Sequence, residues 1–245
     1  MGRKPEQIIG DQVRIWEHFQ AMERHGEPAP RFWPAITISR EYAARGAALA
    51  AVLAERTGFT VWDKELVHAI AEEIGGDERI LQTLDEHLRN SIDDIVHAAL
   101  QHGRHTNLKY LRSLMRIVHT LAAHGNCIIV GRGANFICKP GTVFRVRLVS
   151  PLDVRAHRYM EEKQVREREA RRAVEQMDAE RADFVRRNFR YDVADPVHYD
   201  LVLNSGTFAL DQIAEQVLSA YEAWHGERPP KVAPPHQTPR PLTTV

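Results

Sequence analysis

The sequence predicts an α/β protein built in three layers around a five-stranded parallel sheet. Two observations carry that reading: short apolar runs bounded by turn residues alternate with longer amphipathic stretches, and those stretches are long enough to be crossover helices. The composition agrees with it. Of 245 residues, 43% are hydrophobic and 27% charged, the balance of a globular chain with a sizeable core, which excludes disordered, collagenous and coiled-coil classes.

Taken in order, residues 5–25 place Ile8, Val13, Trp16, Phe19 and Met22 at near-helical spacing. This predicts an N-terminal helical extension over 1–25, with an apolar face that packs on its own domain or, in a homo-oligomer, on a second copy. Gly26-Glu27-Pro28-Ala29-Pro30 then predicts a linker over 26–34, because proline removes a donor and disfavours helix at the residue before it. The strands are read at 35–39, 60–62, 127–130, 143–149 and 201–203. Helices are read at 46–56, 63–74, 107–124, 151–163 and 209–224, the last with Leu210, Ile213, Val217 and Tyr221 on one side. Two further helical stretches interrupt this alternation: one over 77–103, and a strongly charged one over 164–190. Residues 226–245 are dense in proline without apolar periodicity, which predicts a disordered tail.

Charge and cysteine usage narrow the function classes. Lys+Arg and Asp+Glu both total 33, so no global field recruits nucleic acid or an anionic membrane, although a local cationic pocket is compatible with that balance. No apolar run approaches the roughly 18 residues that span a bilayer, and MGRKPEQ lacks the apolar core of a signal peptide. Cys127 and Cys138 have neither the number for a disulfide framework nor the spacing of a zinc site, and His102 and His105 lack a nearby cysteine or paired acid. The expectation is a cytoplasmic protein with no nucleic-acid or membrane partner and no metal site of its own.

Three segments carry candidate chemistry. Ser39-Arg40-Glu41-Tyr42-Ala43-Ala44-Arg45-Gly46 joins a buried-type strand to a helix, where free N–H groups and the positive helix end suit an anion. A Walker A loop would follow Gly46 with Lys and Ser/Thr, but this chain has Ala47 and Ala48. Val130-Gly131-Arg132-Gly133-Ala134-Asn135 closes a continuous apolar strand and sets an arginine between two glycines at the carboxyl end of the sheet, where α/β proteins bind ligands. The third segment opens with Asp153, Arg155, His157 and Arg158 and runs through Asp178, Arg181, Arg186 and Arg187. It reads either as a solvated helical face tied by ion pairs or as a mobile, arginine-bearing lid. Asp63, in Trp62-Asp63-Lys64, reads equally as a ligand-orienting group or a helix cap.

The stretch ITISREYAARGAALAAVLAERTGFTVWDKEL, with HGNCIIVGRGANFIC downstream, resembles the cytidylate kinase-like family over about residues 35–224. The resemblance implies a P-loop kinase-like fold with a helical acceptor-binding insert near 77–105 and a lid near 155–190. It further implies ATP-dependent phosphoryl transfer to a nucleoside monophosphate of the CMP or dCMP type, with Mg2+ and ATP as cofactors and nucleotides as partners. Under it Ser39, Arg40, Glu41, Arg45, Gly46, Asp63, Gly131, Arg132 and Gly133 bind nucleotide or phosphate, with Arg132 on the acceptor phosphate. Arg155, Arg158, Asp178 and Arg181 are then the catalytic set of the lid. The chain departs from the family pattern where Ala43 and Arg45 replace two glycines of the first loop and where Gly133 replaces the aspartate of Gly-Arg-Asp. The alternative is a catalytically degenerate module that binds a nucleotide or another phosphorylated ligand.

Overall fold

In the computed structural model the described residues are 5–25, 32–63, 67, 76–101 and 108–229. Five strands, β1 (Ile36–Arg40), β2 (Thr60–Trp62), β3 (Cys127–Val130), β4 (Phe144–Val149) and β5 (Leu201–Asn204), form one parallel sheet in the order β2-β3-β1-β4-β5. β1 lies at the centre, with Ile36 paired to Ile128 on one side and to Phe144 on the other, and Ser39 set beside Arg147. A strand in that position is apolar on both faces, which is why it reads as a continuous run rather than as alternation.

Nine α-helices are defined among the described residues: α1 (Pro5–Arg24), α2 (Gly46–Thr57), α3 (Gly76–Leu81), α4 (Glu86–Leu100), α5 (Leu108–His124), α6 (Ala134–Ile137), α7 (Leu152–Lys163), α8 (Glu167–Phe189) and α9 (Leu210–His225). Ile36, Ile38, Ile128, Val146 and Leu148 pack with residues of α2 and α9 on one face of the sheet. Trp62, Cys127 and Ile129 pack with α3, α4 and α5 on the other. α5 supplies Leu111, Leu114, Val118 and Leu121 at three- and four-residue steps, all buried. Both cysteines are buried and free, and burial pushes the Cys138 thiol up to about 12, so neither is reactive.

One stretch read as a single helix divides for local reasons, and one boundary expected from the sequence is present. The one over 77–103 breaks between Gln82 and Asp85: Thr83 turns its hydroxyl back to the Ile80 carbonyl (2.6 Å), and the Asp85 carboxylate accepts from Leu88 N–H (2.9 Å) to cap α4. The stretch over 164–190 stays whole as α8 and is separated from α7, as the sequence reading has it, at Gln164, whose φ of 55° ends α7, so α7 and α8 form a helical hairpin. The four-residue α6 was not expected. Most of the helix read at 63–74 lies outside the described residues, as do 26–31, His102, His105 and 230–245.

α1 docks on the chain's own core. Trp16 is buried and stacks on His124 (centroids 4.0 Å apart, planes 3°) and on Trp62 (6.0 Å, 17°), a class of contact worth about 0.5–1.5 kcal/mol beyond area. Burial lowers the His124 imidazole to about 3, so Trp16 stacks on a neutral ring. That ring lies with its Nε2 2.7 Å from Thr83 Oγ1.

Candidate active site

The loop from Ser39 to Gly46 leaves the carboxyl end of β1 and turns into α2. Ala43 and Arg45 sit at φ 58° and 66°, in the left-handed region that costs an L-residue roughly 1–2 kcal/mol. These are the two positions where the family pattern has glycine, so the backbone follows the tight course without the residue that makes it easy. α2 starts at Gly46 with no side-chain cap, and its positive end faces the loop. Arg45 is exposed beside that end, and burial, then the charge of Arg45, hold the Arg158 guanidinium below its ordinary value. The two arginines therefore share one positive region next to the helix start.

The second loop follows β3. Gly131, Arg132 and Gly133 take φ of 81°, 53° and 70° in succession, reversing the chain into α6. Both glycines are needed for space as well. A Cβ on Gly131 would lie 2.0 Å from Arg40 Nη1, and one on Gly133 would lie 2.3 Å from Phe189 Cε2. A Cβ on Gly46 would likewise lie 2.7 Å from Arg40 Cγ. The Arg40 stem thus rests on Gly46 and its head reaches Gly131, so one side chain bridges the two loops.

Between the loops and α8 lies a cleft of about 300 Å³ whose lining includes Ser39, Arg40, Arg132, Glu180, Arg181 and Phe136. Three guanidiniums and one carboxylate converge on it, which makes it suited to an anion. α8 is drawn over the cleft by Arg181, which donates to the Arg40 carbonyl (3.1 Å) and lies over the Tyr42 ring (5.0 Å).

Glu41, Arg155 and Asp178 form a separate network behind the first loop. Arg155, buried, donates to the Ser150 carbonyl (2.8 Å) and the Tyr42 carbonyl (3.2 Å) and pairs with Asp178 and with Glu41 (3.3 Å). Asp178 also accepts from Tyr42 N–H (2.6 Å), and Glu41 accepts from Ser150 N–H (2.8 Å). These contacts tie α7, α8 and the loop into one unit. Arg158 donates to the Ser205 carbonyl (2.6 Å) and lies against the Ala43 carbonyl (3.4 Å).

Of the residues singled out from sequence, Ser39, Arg40, Gly131, Arg132, Gly133 and Arg181 meet in the cleft. Arg45, Gly46 and Arg158 gather at the start of α2. Asp63 stands apart: it is exposed at the end of β2, does not line the cleft, and its carbonyl accepts from Val67 N–H (3.1 Å), as a helix cap does. Sequence reasoning missed Arg147 and Tyr199. Arg147 is buried and donates to Ser39 Oγ (3.0 Å), beneath the cleft floor. Its signal was present, since Arg145 and Arg147 alternate through an otherwise apolar strand and so share one face. Among the described residues no three His, Cys, Asp or Glu side chains collect as a metal site, and no helix is long and apolar enough to cross a membrane.

This sheet order, with an anion-suited cleft at the strands' carboxyl ends and a helical hairpin across it, defines an α/β protein of the P-loop kinase type. The comparisons carry this further. The family model described as the cytidylate kinase-like family matches residues 35–207, and the chain belongs to that family. Its membership supports phosphoryl transfer in general. No curated protein matches the sequence. Among solved structures, an uncharacterized protein from Eubacterium ventriosum is similar at 20% identity with a TM-score of 0.60, covering 78% of this chain and 98% of its own. A shikimate kinase from Bacteroides thetaiotaomicron (16% identity, 77% and 98% coverage, TM-score 0.44) and a gluconokinase from Sinorhizobium meliloti (15%, 79% and 94%, 0.45) are more distant, and at those scores add nothing to the assignment. α1 precedes the residues that the family model matches.

Proposed function

We propose that the chain transfers the terminal phosphoryl group of ATP to a nucleoside monophosphate of the CMP type. The observation that carries this is the convergence of Arg40, Arg132 and Arg181 on one cleft beside the uncapped start of α2. Arg132 and Arg40 would hold the acceptor's phosphate, and Arg45, Arg158 and the first N–H groups of α2 the donor's phosphates. Arg181 would meet the transferring group, where charge spreads over three equatorial oxygens. An acceptor phosphate oxygen bonds to the terminal phosphorus, the bond to the bridging oxygen breaks, and ADP leaves with that electron pair. Arg155, Asp178 and Glu41 act at one remove, by fixing the loop.

The residues fit a triphosphate but offer no hydroxyl or carboxylate directly after Gly46, where Ala47 and Ala48 stand. The loop therefore supplies no Mg2+ ligand directly after Gly46, and a Mg2+ brought with ATP would neutralise phosphate charge. The same two alanines favour a second reading, a module that binds phosphorylated ligands without turnover. Coupled ADP release over a panel of monophosphates with ATP and Mg2+ separates the two. Turnover with a cytidine or deoxycytidine monophosphate supports the kinase, whereas no ADP release for any acceptor, with monophosphate binding intact, supports the module.

A further inference from the structure

Arg147 is 6% exposed, in the middle of β4, and no Asp or Glu of the described residues pairs with it. Its hydrogen-bond partners are two hydroxyls: Nη1 donates to Ser39 Oγ (3.0 Å) and reaches Tyr199 OH at 3.5 Å, while the guanidinium lies 5.4 Å from the Tyr199 ring centre. A buried cation without a carboxylate is costly unless something anionic compensates it. The arrangement of hydroxyl protons says where that anion sits. Tyr199 OH gives its proton to the Val193 carbonyl (2.8 Å), so it has none left for Ser39. Ser39 Oγ already accepts from Arg147, and its own proton faces either the Tyr199 oxygen, at a long 3.3 Å, or the cleft that Ser39 lines.

We propose that Ser39 donates a hydrogen bond to a phosphate dianion in the cleft, and that Arg147 is the positioning residue that orients and polarises its hydroxyl. The bound dianion supplies the negative charge that Arg147 lacks. The inference rests on the reading that the cleft holds an acceptor's phosphate, but not on turnover, and it explains a buried charge that the fold alone leaves uncompensated.

Calorimetry on the full chain without ATP, with inorganic phosphate and methyl phosphate as probes at pH 8, tests it. Arg147→Met is expected to weaken both about tenfold or more, and Ser39→Ala similarly. In the double variant the two losses should not add, because they act through one contact. Arg147→Lys, which keeps the charge, should bind more tightly than Arg147→Met. Without ligand, Arg147→Met should melt no lower than the wild type, since it removes an uncompensated buried charge; a merely structural arginine would lower melting and leave affinity alone. Unchanged phosphate affinity in Arg147→Met, or full additivity in the cycle, overturns the proposal. If Arg147→Met does not fold, Ser39→Ala decides, and unchanged affinity there overturns it. Coupled phosphate binding with no ADP release for any acceptor would sink the kinase reading and leave this inference standing.

Discussion

The loop after β1 puts Ala43 and Arg45 at φ 58° and 66°, and the loop after β3 puts Gly131 and Gly133 at 81° and 70°. The backbone solution is the same, but the residues are not. In the second loop the missing Cβ atoms are replaced by other side chains, Arg40 at Gly131 and Phe189 at Gly133. In the first, Ala43 is half-buried and Arg45 exposed, so side chains fit and only the conformational cost remains. Glycine's two uses, freedom of φ and absence of volume, are thus separable within one site. A loop can lose its glycines and keep its shape when space is free, and cannot when a neighbour has moved into the vacancy.

The comparison requires a folded protein, and the largest expected effect is on that condition. Burial lowers His119 to about 4 and His124 to about 3, while the unfolded chain takes up those protons near pH 6.5. The native pKa values are depressed for bases, so the unfolded state binds more protons between those limits. Stability should be complete above about pH 6.5 and fall steeply as pH drops towards 4; a melting temperature flat over that range would contradict the burial of the two imidazoles. Loop variants are therefore best compared at pH 7 or above.

Next in size is Gly133→Ala, in which both penalties apply. Phe189 belongs to an aromatic cluster with Phe136 and Phe184, so moving its ring disturbs those contacts, and a loss of about 2–4 kcal/mol is expected in denaturant unfolding. A loss below about 1 kcal/mol would mean that the ring moves freely and that space is not what Gly133 supplies. Arg132→Ala should weaken monophosphate binding by roughly 1.5–3 kcal/mol. Unaltered affinity in calorimetry would remove it from the site. Gly131→Ala carries the left-handed cost of about 1–2 kcal/mol but meets only the far end of Arg40, which can swing away, so beyond that cost the effect should fall on phosphate affinity.

The smallest effect is predicted for the first loop. Ala43→Gly relieves left-handed strain but frees the unfolded chain, and the balance should be a gain of no more than about 1 kcal/mol. Arg45→Gly should stabilise to the same degree while weakening ATP, if its charge serves the donor phosphates. Tighter ATP binding in Arg45→Gly would instead show that the side chain obstructs the loop. A clear loss of stability in both variants would break the comparison, because it would mean that these side chains hold the loop rather than strain it.

What the sequence determined by itself is what local pattern encodes. The five strands are legible because each is an apolar run closed by turn residues, and the helical spacing of Trp16 and Phe19 marks a face that must be covered. The Gly-Arg-Gly turn after an apolar strand is equally local, since its position alone sets Arg132 at the sheet's ligand-binding edge. The break at Thr83 was less legible, because side-chain hydrogen bonding and capping outweigh periodicity there.

The tertiary structure alone decided how the arginines are used. Tyr42 and Asp178 are 136 positions apart, and Arg147 and Ser39 108, so no window of sequence holds both members of either contact. Arg155 and Arg132 look alike in sequence, yet one is pinned by Glu41 and Asp178 and the other lines a cleft. A charge acquires its role from the dielectric and the partners around it, and those are set only when the sheet, α7 and α8 close on one another.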